Sequence, residues 1–298
     1  MKTLISVIIP TYNNHQFPAN LKNNLPFLKG CEIIVVNDNP DTSITDRLSE
    51  FDVHIIQHEK NKGFAGAVNT GIHASKSEYI FLLNDDVLLQ DASFRKTLDA
   101  FNSDSNLFAV SFAQIEKNGQ MVGKNVLFFR NGFMQHDRAD NLRKGPTGWA
   151  EGGSAIFDAT KMKQLGGMDE LYSPFYWEDI DLSYRAKLCG YEVIFDPGIK
   201  VIHHHETTIG SQFSKKKITA ISYRNQLICI WKNISSLSYI IQHKYHLLKL
   251  LVQSMMKGDG TFLKGFFQAL LLLPQVFIKR FSISHIHSDH EILEKHTQ

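Results

Sequence analysis

"YIFLLNDDVLL", residues 79–89, decides how the chain is read. Tyr79 to Leu83 have the composition of a buried strand, and Val87, Leu88 and Leu89 resume the apolar pattern. Between them stand Asn84, Asp85 and Asp86. Adjacent acids after a strand can cap a turn or helix. They also suit a hard divalent cation, since Mg²⁺ and Mn²⁺ prefer carboxylate oxygens. A strand end would hold such a site rigidly.

Working outward, Leu4–Ile9, Glu32–Val36 and Val53–Gln57 are further Ile/Val-rich runs. Phe17–Leu28, Ile44–Glu50 and Phe64–Ala74 lie between them with helix-like composition. This alternation predicts βαβ units and a mostly parallel sheet flanked by helices. Ligands of such sheets bind beyond the carboxyl ends of the strands. Polar loops follow all four strands: Pro10-Thr11-Tyr12-Asn13, Asn37-Asp38-Asn39, Glu59 to Gly63, and Asn84-Asp85-Asp86.

Further along, residues 148–157, "GWAEGGSAIF", read as a Gly-rich turn entering a strand. Residues 173–191 read as a loop that becomes a helix and stops at Gly190. "EVIFDPGIKVIHHH" reads as a strand, a turn at Pro197-Gly198, and a second strand ending in histidines. Residues 215–256 and 261–280 look helical, broken at "KGDG", and Arg224-Asn225 is read as a helix start. The longest uncharged run, Gly265–Ile278, has 14 residues. A membrane-spanning helix needs roughly 18 or more, so a packed pair or an interfacial anchor is expected instead.

The chain has 298 residues, 43% hydrophobic and 21% charged, as expected of a soluble globular protein. A net charge of +2 gives no field for nucleic acid. Residues 231–280 nevertheless hold seven Lys or Arg and one acid, Asp259. The three cysteines, 31, 189 and 229, are odd in number and far apart, which fits a reducing compartment. The N-terminus lacks the long apolar region and small-residue cleavage site of a signal peptide, so its run is read as a first core strand.

Six segments in order, over roughly residues 4–230, resemble glycosyltransferase family 2, the inverting enzymes of GT-A fold. They are "SVIIPTYNN", "EIIVVNDNPDT", "NKGFAGAVNTGI", "LLNDDV", "FYWEDIDLSYR" and "VIHHH". The third and fourth resemble most the rhamnosyl- and galactofuranosyl-transferase-like branch. Asn37 and Asn84 stand where the family usually has Asp. The resemblance implies a GT-A-like (Rossmann-like) catalytic domain over 1–230 and a helical region over 231–298.

It also implies roles. Pro10, Thr11, Tyr12, Asn13, Asn37, Asp38, Asn61, Gly63, Phe64, Asn69, Asn84 and Asp85 would bind the nucleotide sugar. Asp85 would hold the ribose or the metal's water shell. Asp86 and His203 would hold Mg²⁺ or Mn²⁺, with His204 in reserve. Asp179 would be the general base, and Glu178 its neighbour at a helix start. Asp181 is read as an acid of the helix first turn, favoured by the macrodipole. Trp149, Glu151, Gly152 and Trp177 would line the donor–acceptor junction. Gly63 and the amides after it would approach a phosphate or sugar at a helix N-terminus.

The implied activity is metal-dependent transfer of a sugar from a dTDP- or UDP-linked donor. The acceptor would be a carbohydrate or lipid-linked molecule, in bacterial surface polysaccharide assembly. The expected location is cytoplasmic, peripheral at the inner face of the membrane. The basic, apolar tail is expected either to rest on that surface or to pack, within the chain or in a homodimer. Two competing readings are a sugar nucleotidyltransferase, whose Gly-rich first loop "PTYNNH" does not match, and a non-catalytic nucleotide-sugar-binding module.

Overall fold

The computed structural model describes residues 3–203, 213–280, 282 and 285–294. Four parallel strands form one half of the sheet: β1 (Ile5–Thr11), β2 (Glu32–Asn37), β3 (His54–Gln57) and β4 (Tyr79–Leu83). Their spatial order is β3-β2-β1-β4. Helix α1 (Phe17–Asn24) follows β1, and α2 (Gly63–Ala74) follows β3. Ile44–Glu50 gives only a 3-10 turn, Asp46–Leu48. Helix α1 stops short of the expected Leu28. Pro26 disfavours helix just before it, and Asn24 is committed elsewhere. Its side chain donates to the Val87 carbonyl (2.9 Å) and accepts from Leu89 N (2.8 Å). It thereby fixes the short strand β5 (Val87–Leu89).

After α3 (Thr97–Ser103) the second half begins with β6 (Leu107–Ile115) and β7 (Met121–Val122). A hairpin, β8 (Asn125–Arg130) and β9 (Phe133–Arg138), stands apart from the main sheet. Then come β10 (Gly145–Pro146), β11 (Ser154–Asp158), α4 (Ala159–Gln164), α5 (Glu178–Leu188) and β12 (Glu192–His203). Strand β11 runs antiparallel between β4 and β6, and β12 runs parallel to β6. The fold is therefore a mostly parallel sheet flanked by helices, as expected. The expected turn at Pro197-Gly198 is instead a bulge within one strand, where the β6 pairing shifts between Asp196 and Lys200. That continuity carries β12 on to His203, beside Val87 of β5.

The C-terminal part is helical: α6 (Lys215–Asn233), α7 (Leu237–Lys257), α8 (Gly260–Leu271), α9 (Leu273–Arg280) and α10 (Asp289–Glu294). Gly258, at φ 67°, and Asp259, which accepts from Thr261 N and Phe262 N, make the break at "KGDG". An unexpected break lies at 234–236. There Asp289 accepts from Ser235 N (2.7 Å) and Ser236 N (2.6 Å). Among the described residues no single helix is long and apolar enough to cross a membrane. Helices α8 and α9 reach that length only together, bent by 59°.

Helix α6 runs through residue 230 and shares one buried cluster with α5 and the β8–β9 hairpin. Its end is tied to α5 by charge. Asp181 is fully buried and accepts from Tyr172 Oη (2.8 Å), Arg185 Nε (2.7 Å) and Asn233 Nδ2 (2.7 Å). Lys232 Nζ lies 2.7 Å from Asp181 and 2.6 Å from Asp169. Burial opposes its charge, but Lys232 and Arg185 hold the Asp181 carboxyl well below the ordinary range. Asp181 thus does more than complement a helix dipole.

Removing one partner of a buried ion pair typically costs about 3–5 kcal/mol. Asp181→Ala is expected to lose about that much, read by urea unfolding. A loss below about 1 kcal/mol would show that the network does not hold α5 to α6.

Candidate active site

Beyond the carboxyl ends of β1 and β4 lies a cavity of about 530 Å³. Many of its polar groups come from three segments: the loop after β4, the turn before β11 and the start of α5. The loop after β4 is clamped from outside. Thr11 Oγ1 donates to Asp85 Oδ2 (2.6 Å), and Asn20 Nδ2 donates to the Asp85 carbonyl (2.9 Å). Burial pushes the Asp85 carboxyl up to about 6, against the hydrogen bonds from Thr11 and Asn14 that favour its charge. Asn84 N donates to the Gly153 carbonyl (3.0 Å). A Cβ on Gly153 would come within 2.3 Å of the Asn84 amide group, so only glycine permits this approach.

Asp86 points the other way, into the cavity. Its Oδ1 lies 3.2 Å from His203 Nε2. The other His203 nitrogen, Nδ1, is 2.6 Å from Gln114 Oε1. A carbonyl oxygen only accepts, so Nδ1 carries the proton and Nε2 presents its lone pair toward Asp86 in the neutral ring. An oxygen donor and a nitrogen donor therefore converge, with a partner fixing the histidine tautomer. No group of three His, Cys, Asp or Glu with metal-holding geometry occurs among the described residues. A two-donor site suits Mg²⁺-like ions, which take one or two protein ligands and complete their shell with substrate phosphates and water. His204 and His205 lie outside the described residues.

The start of α5 brings two more carboxylates, Glu178 and Asp179, and the turn before β11 brings a third, Glu151. Glu178 is buried, lines the cavity, and its Oε2 has no hydrogen-bond partner among the described residues. Burial, then the neighbouring Asp179 charge, pushes its pKa up to about 8. Asp179 accepts from Ile180 N (2.8 Å) and Gly152 N (3.3 Å), and burial raises its pKa despite these bonds. Glu151 accepts from Asn125 Nδ2 (2.6 Å). Burial and the charge of Asp179 push it up to about 7, against the Asn125 hydrogen bond that favours its charge. Glu151 is thus coupled by charge to Asp179 at the start of α5.

The chain entering α5 is strained. Tyr176 and Trp177 both have left-handed backbones, with φ of 71° and 78°. Such residues cost on the order of 1–3 kcal/mol each and persist only where the surroundings enforce them. Here α6 does so. Asn225 Nδ2 lies 2.8–2.9 Å from the carbonyls of Tyr172, Phe175 and Tyr176, and Arg224 bonds the Ser173 carbonyl. Arg224-Asn225 is therefore a mid-helix clamp on this loop, not a helix start.

Of the residues singled out in the sequence, Pro10, Thr11, Tyr12, Asp38, Asn61, Gly63, Phe64, Asn84, Asp85, Asp86, Glu151, Gly152, Glu178, Asp179 and His203 line the cavity. Others do not. Asn13 bonds Asn39, and Asn37 holds the Thr42 carbonyl and Gln57. Asn69 bridges α2 to both backbone groups of Met168. Trp149 and Trp177 are buried against His136 of the hairpin, with ring centroids 5.5 and 5.4 Å away. Phe175, Tyr176 and Phe213 supply the aromatic wall instead. Only "SPFY" lay near a recognised motif; Gln114 and Phe213 had no local signal.

One expectation needs correcting outright. At the N-terminus of α2 the Gly63 and Phe64 amides are not free for a ligand. The Asp38 carboxylate already accepts from Lys62 N and Gly63 N (2.8 Å each), and Phe64 N donates to the Pro174 carbonyl (3.3 Å). The anion that complements this helix end belongs to the protein.

The mostly parallel sheet flanked by helices, with a cavity beyond its strand ends, is an α/β fold of GT-A type. The chain belongs to glycosyl transferase family 2, whose model matches residues 6–166. It is 23% identical over 216 residues to the pre-mycofactocin glycosyltransferase of Mycobacterium tuberculosis, covering 71% of this chain and 45% of that protein. It is 24% identical over 200 residues to the poly-beta-1,6-N-acetyl-D-glucosamine synthase of Staphylococcus epidermidis, covering 65% and 48%. The chain thus spans about half the length of these curated relatives. Among solved structures, Staphylococcus aureus TarS 1-349 in complex with UDP-GlcNAc aligns at TM-score 0.57 and 15% identity, covering 94% of this chain and 88% of that one. GalNAc-T7 with UDP, GalNAc and Mn²⁺ aligns at 0.61 and 14%, covering 77% and 48%. The family match answers the competing nucleotidyltransferase reading.

Glu178 and Glu151 titrate near 8 and 7 in the fold, against 4.5 for an ordinary glutamate. The stability tied to holding these protons is complete below about pH 4.5 and is lost as pH rises toward 8. The melting temperature is expected to fall as pH rises from about 4.5 to about 8, and Glu178→Gln should flatten that fall. An unchanged pH slope in the variant would show that Glu178 is not held protonated.

Proposed function

We propose that the chain transfers a sugar from a nucleotide diphosphate donor to a hydroxyl of a carbohydrate or lipid-linked acceptor, with inversion at the anomeric carbon. The observation that carries this reading is one cavity holding both the Asp86–His203 pair and the Glu178–Asp179 carboxylates. A uridine-linked donor fits the structural neighbours solved with UDP or UDP-GlcNAc, the family resemblance leaves a deoxythymidine-linked donor as the alternative, and surface-polysaccharide assembly fits the relatives. One of them is a poly-beta-1,6-N-acetyl-D-glucosamine synthase, another a poly(ribitol-phosphate) beta-N-acetylglucosaminyltransferase.

In this reading Asp86 and His203 would hold Mg²⁺ or Mn²⁺, which supplies charge neutralisation for a departing diphosphate. The nucleotide would lie against Pro10, Thr11, Tyr12 and Asn61. Asp85 stays turned toward Thr11 and sets the angle at which Asp86 enters the cavity. Asp179 takes the proton of the acceptor hydroxyl as its oxygen attacks the anomeric carbon. The bond from that carbon to the diphosphate oxygen breaks in the same in-line step. The nucleoside diphosphate leaves with the bonding pair, and no covalent intermediate forms.

The two adjacent carboxylates divide the work. Asp179 accepts two backbone N–H bonds, which favour its charged form. Among the described residues Glu178 has no such partner on Oε2, and it keeps its proton near neutrality. As a neutral acid it can donate a hydrogen bond to a sugar oxygen. The non-polar wall of Phe175, Tyr176 and Phe213 excludes water from the acceptor side.

Two outcomes test the reading, with nucleotide-sugar panels and Mn²⁺ titration as the assays. Asp179→Asn should retain donor binding and lose transfer by roughly 10²–10⁴-fold, the usual contribution of a positioned general base. Its rate should also lack the acid limb of the parent's pH profile, a limb displaced upward because burial raises this carboxyl. Transfer at near the parent rate would remove Asp179 from the role.

Asp86→Ala should abolish metal-dependent donor binding, and His203→Ala should weaken it less. If neither changes the metal dependence, the donor pair has been misassigned.

A further inference from the structure

Helix α7 is held with one face inward and an apolar face outward. Inside, Phe129 stacks on Tyr239 with ring centroids 4.2 Å apart. The Gly132 carbonyl lies 2.6 Å from His243 Nδ1, and the Trp231 indole donates to His243 Nε2 (2.9 Å). A carbonyl accepts and an indole donates, so His243 is neutral with its proton on Nδ1. Outside, Ile241, Tyr245, Leu248, Val252 and Met255 are between 44% and 65% exposed. Their spacing of four, three, four and three residues places them in one stripe. Leu237 and Met256 extend it at both ends, at 71% and 82% exposure. Leu247 and Leu251 turn partly inward, while Leu248, Val252 and Met255 face out.

The same spacing suits a coiled-coil seam, so a second copy and a lipid surface compete for it. Charge separates them. At 100° per residue, Lys244 and Lys249 fall on opposite flanks of the stripe, and both are exposed. No Asp or Glu occurs anywhere in Leu237–Lys257. Pairing two copies along this seam would set lysine flanks against lysine flanks, in parallel or antiparallel order, with no acid to compensate. The nearest acid in sequence, Asp259, is committed to capping α8. An anionic surface instead meets both flanks favourably. The lysine stems can lie along the stripe and lift their ammonium groups to headgroup level. Tyr245, in the middle of the stripe, is an aromatic of the kind enriched at that depth.

We propose that the outward face of α7 docks on an anionic lipid bilayer, lying in its interface without crossing it. Exposed Lys257 and Lys264 add to the same positive field. The remaining cations of residues 231–280 are used internally. Lys232 and Lys279 pair with Asp169, and Arg280 donates to the Trp231 and Ile234 carbonyls.

The test uses the full chain in co-sedimentation with phosphatidylcholine vesicles, with and without phosphatidylglycerol, at low and high salt. The parent should bind the phosphatidylglycerol vesicles, and binding should weaken as salt screens the charge. Two double variants change only exposed side chains, and circular dichroism checks their folding. Lys244→Glu with Lys249→Glu should weaken binding more than about tenfold. Leu248→Ser with Val252→Ser should also abolish it, while leaving donor hydrolysis unchanged. The proposal is overturned if the parent ignores both kinds of vesicle, or if both variants bind like the parent. It is equally overturned if the parent sediments as a dimer that Leu248→Ser with Val252→Ser converts to a monomer.

Discussion

The buried contact between Asp181 and Lys232 is the constraint on which the rest of the site depends. It joins α5, which carries Glu178 and Asp179 on its first turn, to the end of α6. An unpaired charge at that depth would be very costly, so neither helix can shift without the other. Arg185 extends the tie to the Leu165 and Gly167 carbonyls, and Lys279 extends it to α9 through Asp169. The network is well satisfied, which is what makes buried polar groups stabilising rather than a liability.

With α6 fixed in this way, its middle can act on the loop before α5. Asn225 and Arg224 gather the carbonyls of residues 172–176, and the chain then passes through two left-handed residues into α5. That path turns Tyr176 toward the cavity and buries Trp177 against the hairpin. It also leaves Glu178 facing the cavity, with an oxygen that has no partner among the described residues. The strain is local to the site, and the helices behind it enforce it.

The opposite wall uses cheaper means. Side chains of Thr11, Asn14, Asn20 and Asn24 hold the residues after β4 through hydrogen bonds to side-chain and backbone oxygens. Adjacent acids thereby take different directions. Asp85 is drawn back to Thr11, and Asp86 meets His203 at the end of β12. The bulge at Asp196–Lys200 keeps β12 in the sheet long enough to deliver that histidine.

The sequence by itself determined the alternating strands and helices, the acid-bearing loop after β4, and the acidic start of α5. These signals are local: apolar runs of strand length, residue types that suit metal or proton chemistry, and a glycine stop after a helix. Family resemblance then ordered them along the chain. The sequence also exposed the basic, apolar tail, but not which side of α7 faced out. Tertiary structure alone decided that Gln114 orients His203, that Asp38 occupies the end of α2, and that Asn225 braces a loop about fifty residues before it. It also sent Asn13, Asn37, Asn69, Trp149 and Trp177 to supporting positions outside the cavity. Each of these outcomes turns on which distant group reaches a hydrogen-bond donor, acceptor or apolar surface first. That competition is settled by packing between elements far apart in the chain, and no single segment encodes it.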